Sequence, residues 1–407
     1  MKKIPNPTLW MLGLLLFAAL ARDVLANERP LWCNMGGQLF FPALKGAFTG
    51  GEGRQYKGTA LEKIEEQNLW SSLPSEQAVF PPIPFTPGDG VGSERNLFPG
   101  SSCTQTKGRF SHLLGTDGHG RDVAASMISG ARIAVLTGLV AMGVALAIGL
   151  LLGLIAGYFG DVRLRVRRGR LWCLLLGCPV AWFYAFPARA AVLDGRGGWT
   201  ELFISESLFC ALLLIFYLLG GMLNRLAFFS KTVLLPADLL IMRLAELFNA
   251  TPKLLVIVAV GAVAYADRGR SPLIMLGLIG AMSWPGVARF IRAELLKIRE
   301  MDFMTAARSL GLSDARVMFR HALPNSTRAV MVAFALGVGS AIMLEASLSL
   351  LGYGASVGHE VSWGALLAAA NLSSWWLVIP PGLAICLTVL ALNSVGEFFS
   401  DHTRNPG

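Results

Sequence analysis

The residues best placed to do chemistry in this chain are charges set among apolar neighbours. Glu246 and Glu345 both lie in largely hydrophobic stretches. A carboxylate at mid-membrane depth costs about 2.5–3.5 kcal/mol on insertion scales, so such groups face a bundle interior or a water-filled path. Arg243 precedes Glu246 by one helical turn, where the two can neutralise each other. Glu246 is therefore either half of a structural pair or a pathway residue. Glu345 shows no such neighbour, and both roles stand open for it. Asn249, Ser283 and Trp284 are further candidates to line a path. A second charged group, Asp117, Arg121 and Asp122, follows Thr116 among closely spaced glycines. It is either a gate or docking site, or a turn whose charges orient the start of a helix.

Other chemistry finds no support. His112, His119, His321, His359 and His402 show no i,i+4 pairing, and none stands with a cysteine or carboxylate at metal-ligand spacing, so no metal site is expected. There is no G-x-x-x-x-G-K-[ST] phosphate loop and no G-x-S-x-G nucleophile motif, so neither a cofactor in this chain nor an enzymatic activity is expected. Of the six cysteines, Cys173, Cys178, Cys210 and Cys386 fall in or beside apolar blocks and read as small hydrophobes. Cys33 and Cys103 share the one long polar stretch, and a disulfide between them would contribute roughly 4–5 kcal/mol in the chain-entropy view.

The elements that must position these groups are membrane helices. The chain is 54% hydrophobic and 15% charged over 407 residues, against about 45–50% and ~25% for soluble chains. The excess falls in blocks of bilayer-crossing length or somewhat short of it: the short N-terminal run Leu9–Ala21, then Ile133–Tyr158, the short block Leu171–Phe186, Leu202–Gly220, Leu239–Ala264, Leu273–Ala288, Val330–Leu351 and Trp375–Phe398. The net charge of +9 does not point to nucleic acid. Arg163, Arg165, Arg167, Arg168 and Arg170, and then Arg289, Arg292, Lys297 and Arg299, cluster between apolar blocks, where basic residues mark cytoplasmic loops. Four spans between those loops keep both on one side.

This divides the chain into an N-terminal membrane helix or signal-like anchor (1–26), an extracytoplasmic insertion (27–112) and a motif with the second span (113–161). An inserted hairpin (162–236), a core (237–400) and a cytoplasmic tail (401–407) follow. Lys2-Lys3, a short apolar run and Val24-Leu25-Ala26 also suit a cleaved signal peptide, and either reading sends the following segment outside.

One cytoplasmic stretch, 300–325, has its own structure. Phe303, Met304, Ala307 and Leu310 recur at helical spacing, with Asp302, Thr305 and Arg308 on the other face. Gly311 ends this helix where a left-handed residue is needed. Ser313 then caps a second helix that Pro324 stops. Two short helices hinged at a glycine make a stiff knob suited to another protein's groove.

Ala306-Ala307, Gly311 and His321-Ala322-Leu323-Pro324-Asn325 resemble the EAA loop of binding-protein-dependent ABC importer permeases, and the Arg-His-x-Leu-Pro-Asn ending resembles the dipeptide/oligopeptide/nickel branch. Leu114-Gly115-Thr116-Asp117, Gly120-Arg121-Asp122-Val123, Gly130 and Arg132 are similar to that branch's motif before its second span. Glu345-Ala346, Ser362-Trp363-Gly364, Trp375-Trp376, Pro381-Gly382 and Asn393 resemble its closing portion. The resemblance covers roughly 114–158 and 239–401.

It implies an all-α integral membrane protein, a type I ABC importer transmembrane domain with a six-helix core plus the inserted hairpin, in a bacterial inner membrane. It implies half of a translocation pore for peptides or a related solute. Partners would be a second permease, two ATP-binding-cassette ATPases, an extracytoplasmic solute-binding protein and the lipid bilayer. It assigns coupling to Thr305, Ala306, Ala307, Gly311, His321, Leu323 and Pro324. Thr305 stands where the loop usually has Glu, Ser400 where an Arg is usual, and 162–236 has no counterpart in six-span relatives. The rival reading is an ion-coupled secondary transporter, which predicts inverted repeats and broken spans with midplane charge pairs.

Overall fold

A computed structural model describes residues 6–35, 38–43, 64, 70–74, 77–88, 90, 94–103, 109–161, 165–189, 199–226, 228–268, 272–354, 360–371 and 373–404. His359 and Gly195 lie outside these residues. Contacts divide the chain into two compact units. One comprises Met1–Leu150, Phe248–Ile291 and Pro324–Gly407; the other comprises Leu151–Leu247 and Arg292–Leu323.

Helices dominate, as the apolar blocks require. Among the described residues, six are long and apolar enough to span a bilayer: Val123–Phe159, Arg168–Arg189, Phe203–Leu223, Leu273–Ile298, Ala329–Leu350 and Trp375–Ser400. The N-terminal helix is described over Asn6–Leu20, 15 residues, short for an upright crossing, as the run Leu9–Ala21 is. One expected span differs. The block expected as one span from Leu239 is two helices, Ala237–Ala250 and Lys253–Ala262, bent by 80°. Thr251 and Pro252 occupy the break; Thr251 Oγ1 donates to the Phe248 carbonyl (2.7 Å), and Pro252 brings no N–H to continue the ladder.

In the first unit, Ile133, Ala141, Ile257, Met275, Leu276, Ile279, Ala341 and Leu348 form the main buried cluster. Small residues let its helices approach: a Cβ on Gly149 would stand 2.7 Å from Val287 Cβ and 2.9 Å from the Trp284 carbonyl oxygen. Ahead of the first long helix, Trp32–Met35 pairs antiparallel with Gln38–Phe40 and with Ala78–Val79. Cys33, Trp70, Leu73 and Ala78 make a small core there, with Phe40, Ile64 and Phe80 against it. A second antiparallel pair joins Ser101–Ser102 to Ser111–His112.

In the second unit, Arg168–Ala185 and Trp199–Leu223 pack antiparallel. Gly169 sits by Asn224, and a Cβ on Gly177 would meet the Phe216 ring. Asn224 Oδ1 accepts from Gly169 N (3.1 Å), and the Arg170 guanidinium lies 4.5 Å from the Tyr217 ring centre. At the base, Arg165–Arg167 and Thr232–Leu234 form a two-stranded antiparallel clasp. At the other end Arg189 and Glu201 are paired at 2.6 Å. Much of the remaining described hairpin surface is apolar and exposed, including Leu176, Trp182, Phe203, Leu214 and Leu218, with Glu206 exposed among them.

Candidate functional site

The segment expected to couple forms in the second unit as far as Leu323. Helix Asp302–Ser309 is followed by Gly311 at φ 76°, the left-handed conformation that the sequence reading required. A second helix, Asp314–Val317, runs into a π-helical turn, Met318–Ala322, and a further turn, Leu323–Asn325. Two expectations need correction. Ser313 holds the N-cap position with extended backbone but makes no side-chain cap bond. Pro324 does not stop the helix. It sits in the last turn and its carbonyl accepts from Thr327 Oγ1 (2.7 Å), just where the helix Thr327–Leu350 begins.

Burial divides the loop's faces differently from the expected apolar stripe. Met304, Ala307, Val317, Met318 and Ala322 are buried, whereas Thr305, Ala306, Gly311 and Pro324 are exposed and His321 and Leu323 partly so. Ala307 therefore packs inward, and only Ala306 of the alanine pair is presented outward. Phe303, Leu310 (79% exposed) and Phe319 stand out with it. The anchor is a residue that sequence reasoning missed. Tyr158, buried at the end of the helix Val123–Phe159, donates from Oη to Asp314 Oδ1 (2.8 Å), and its ring lies 5.6 Å from the Arg308 guanidinium. One tyrosine thus touches both short helices. The Gly157-Tyr158-Phe159-Gly160 run, where a polar-tipped aromatic ends a span, was the available signal. In the same unit Arg292 grips the Asp238 carboxylate through Nε and Nη2. Arg243 and Glu246 pair at 2.8 Å, both exposed, the neutralisation expected from their spacing.

In the first unit the remaining motifs converge. Asp117 Oδ1 accepts from the N–H groups of His119 (2.8 Å) and Arg121 (2.9 Å), and its Oδ2 from Arg121 Nε (2.7 Å). Asp122 Oδ1 accepts from Ala125 N (2.7 Å), capping the long helix. These bonds build the Gly-rich turn. Trp376 Nε1 donates to the Thr116 carbonyl (3.2 Å) and Trp363 Nε1 to that of Met127 (3.0 Å), so the closing motifs hold the earlier one. Glu345 is buried and has a local partner after all: Ser349 Oγ donates to its Oε1 (2.6 Å), with Ser362 Oγ next in line (2.8 Å). Trp284 is buried and meets Phe248 edge-on, 5.4 Å between ring centres, so it packs within this unit.

Nearby, Glu360 lies between Arg22 (3.5 Å) and Arg132 (3.4 Å), while Asp23 joins Arg22 (2.9 Å) and Arg132 (3.7 Å). Burial pushes the Glu360 carboxyl up from the usual range against the pull of both arginines, with Asp23 adding to the rise.

Cys33 and Cys103 are not joined. Strand register turns Cys33 into the Trp70 cluster, while Cys103 lies with Glu94 and His112. Sequence spacing did not reveal that trio, because the hairpin brings together residues that are far apart in sequence.

The sequence profile of the binding-protein-dependent transport system inner membrane component family matches residues 226–404. A provisionally named peptide transport system permease protein of Brucella suis biovar 1 (strain 1330) is 30% identical over 210 residues, 51% of this chain and 69% of that protein. The chain belongs to this family. Its relatives include a provisionally named peptide permease of Brucella ovis, 35% identical over 170 residues, 40% of this chain and 55% of that one. Another is the glutathione transport system permease protein GsiD of Pectobacterium atrosepticum, 36% identical over 168 residues, with coverages of 40% and 54%. This permease is accordingly an all-α, multi-pass membrane protein with the transmembrane fold of type I ABC importers. The profile match begins after the hairpin's second helix, Trp199–Leu223.

Proposed function

We propose that this permease forms half of the pore of an ATP-driven importer for peptides or a related small solute in a bacterial inner membrane. A separate ATPase engages the 300–325 loop. The observation that carries this is the glycine-hinged helix pair, held from within by Tyr158 and presenting Ala306, Phe303, Leu310 and Phe319 outward. An exposed apolar face on a rigid mount is what a docking helix needs. Asp302, in the first turn of its helix, offers the charge that Thr305 does not. The names of the relatives supply the substrate class. A second permease, two ATPase subunits and an extracytoplasmic binding protein complete the assembly, with ATP-driven closure moving packed helices as rigid bodies.

The domain plan follows the same reading: 27–112 outside, 162–236 a peripheral hairpin, 237–400 the core. Charge favours counting the bent pair as one crossing. Without it, three spans would separate the two arginine-rich loops and place them on opposite sides. A broken span is also a mark of ion-coupled carriers, but the break here carries Thr251 and Pro252 rather than a charge pair, and family membership favours the ATP-driven reading.

The test uses Gly311→Val and Ala306→Trp in the full-length protein, scored for membrane level, co-purification of the ATPase and peptide uptake. A β-branched residue at φ 76° costs about 1–2 kcal/mol, and a large side chain at exposed Ala306 blocks seating. Normal insertion with loss of coupling is expected. Retention of ATPase binding and full uptake by both variants refutes the assignment.

A further inference from the structure

Three side chains that no transport role uses meet ahead of the first long helix. Glu94 comes from a loop fixed by Leu97 N donating to Thr116 Oγ1 (2.8 Å) and Asn96 N donating to the Asp117 carbonyl (2.9 Å). Cys103 and His112 come from the two sides of one hairpin. Ser101 pairs with His112, and Cys103, two residues on, returns to the same face as a diagonal neighbour. The Cys103 N–H donates to the Phe110 carbonyl (2.9 Å) and keeps the strand in register. All three residues are at most 2% exposed, and their ligand atoms lie within 4.8 Å of one another.

The imidazole is already aimed. His112 Nδ1 lies 2.8 Å from Asp122 Oδ2, and Nε2 lies 3.1 Å from Glu94 Oε2. Phe85 stacks on the ring at 4.3 Å between centres. A carboxylate on one ring nitrogen is the support that metal-ligating histidines have, because it fixes the tautomer and raises the basicity of the other nitrogen. Burial works to lower the His112 pKa, but the two carboxylates outweigh it and hold the ring above its ordinary value. A proton is therefore the natural competitor of a cation at Nε2.

We propose that Glu94, Cys103 and His112 bind a divalent transition cation of borderline softness, typified by Zn²⁺, with Asp122 as the residue that positions His112. The donor set selects the class. One thiolate, one imidazole and one carboxylate suit Zn²⁺ or Co²⁺, whereas Mg²⁺ and Ca²⁺ take oxygen ligands alone. Bonds of about 2.0–2.3 Å in a tetrahedral arrangement place ligand atoms roughly 3.4–3.6 Å apart. The present separations reach that by shifts of an ångström or so. On binding, three protein-to-metal bonds form, the Cys103 thiol gives its proton to solvent, and so does any proton on Nε2; a water completes the shell. The cation would tie the Glu94 loop and the Cys103–His112 hairpin to the helix that Asp122 caps.

The experiment uses the purified full-length permease in detergent with reductant present and any affinity tag removed. Zn²⁺ is titrated against a chromophoric chelator, and Co²⁺ serves as the spectroscopic probe. One Zn²⁺ per chain is expected, and Co²⁺ should give visible tetrahedral bands with a near-ultraviolet thiolate charge-transfer band. Cys103→Ser should abolish that band. Asp122→Asn, which keeps an oxygen for the helix cap, should weaken Zn²⁺ by about 10–100-fold. Cys33→Ser should change nothing. Unfolding in chelator shows whether each variant is intact. Absence of stoichiometric Zn²⁺ in the wild type overturns the proposal, as does a Co²⁺ spectrum without the thiolate band, or one that survives Cys103→Ser.

Discussion

Tyr158→Phe removes one hydroxyl beneath the 302–322 segment. The substitution keeps the ring against Arg308 and removes the Oη–H donated to Asp314 at 2.8 Å together with the hydroxyl's contact with Arg308. A hydrogen bond to a charged acceptor contributes about 1.5–3 kcal/mol. Asp314 is exposed, so water takes over its oxygen in the variant, and the loss should fall near the lower end, about 1–2 kcal/mol. That is a factor of roughly 5–30 in the opening equilibrium of the segment. Amide hydrogen exchange on the protein in a lipid nanodisc reads this directly. Peptides covering 302–322 should exchange faster by that factor, and those covering 275–291 should not change. Tyr158→Ala also empties the buried ring site and should exceed it, since deleting a large buried aromatic costs about 3–5 kcal/mol. If 302–322 keeps wild-type protection in both variants, Tyr158 is not the anchor. If protection falls equally everywhere, the residue supports the whole unit rather than this segment.

Asp238→Ala leaves the Arg292 guanidinium without the carboxylate it grips. Breaking a buried pair costs about 3–5 kcal/mol, and with Arg292 partly exposed the loss should sit below that range; thermal unfolding of the purified protein should show it, with Arg292→Ala/Asp238→Ala less than additive. A reporter fused at Gly195 should read as external, on the side opposite the Arg163–Arg170 loop, and a cytoplasmic signal there would remove two crossings from the topology.

The sequence disclosed whatever depended on local pattern. Hydropathy located every long helix, Gly311 announced its left-handed turn, and the three-residue offset of Arg243 and Glu246 announced their pair. What it hid depends on contacts between distant residues. The 80° break after Ala250 falls at Thr251-Pro252-Lys253, three residues that a span-length hydropathy window averages away. Ala307 looked like a contact surface because an alanine pair has no inherent facing; only the packing of Met304 and Ala307 decides which side is in. Tyr158 and Asp314 are separated by 156 residues. Glu94, Cys103 and His112 became neighbours through a hairpin whose strands are two residues each, too short to leave a periodic signature.

The clasp between Arg165–Arg167 and Thr232–Leu234 makes the hairpin removable in principle. Paired strands run about 4.8 Å apart, so the chain leaves and rejoins at nearly the same point. What lies between crosses an even number of times in the proposed topology. Such a segment behaves as a cassette: it can be gained, lost or exchanged without inverting anything downstream. Variation among related permeases is therefore expected to concentrate here, where sequence and length can drift while the polarity of the 300–325 segment stays fixed.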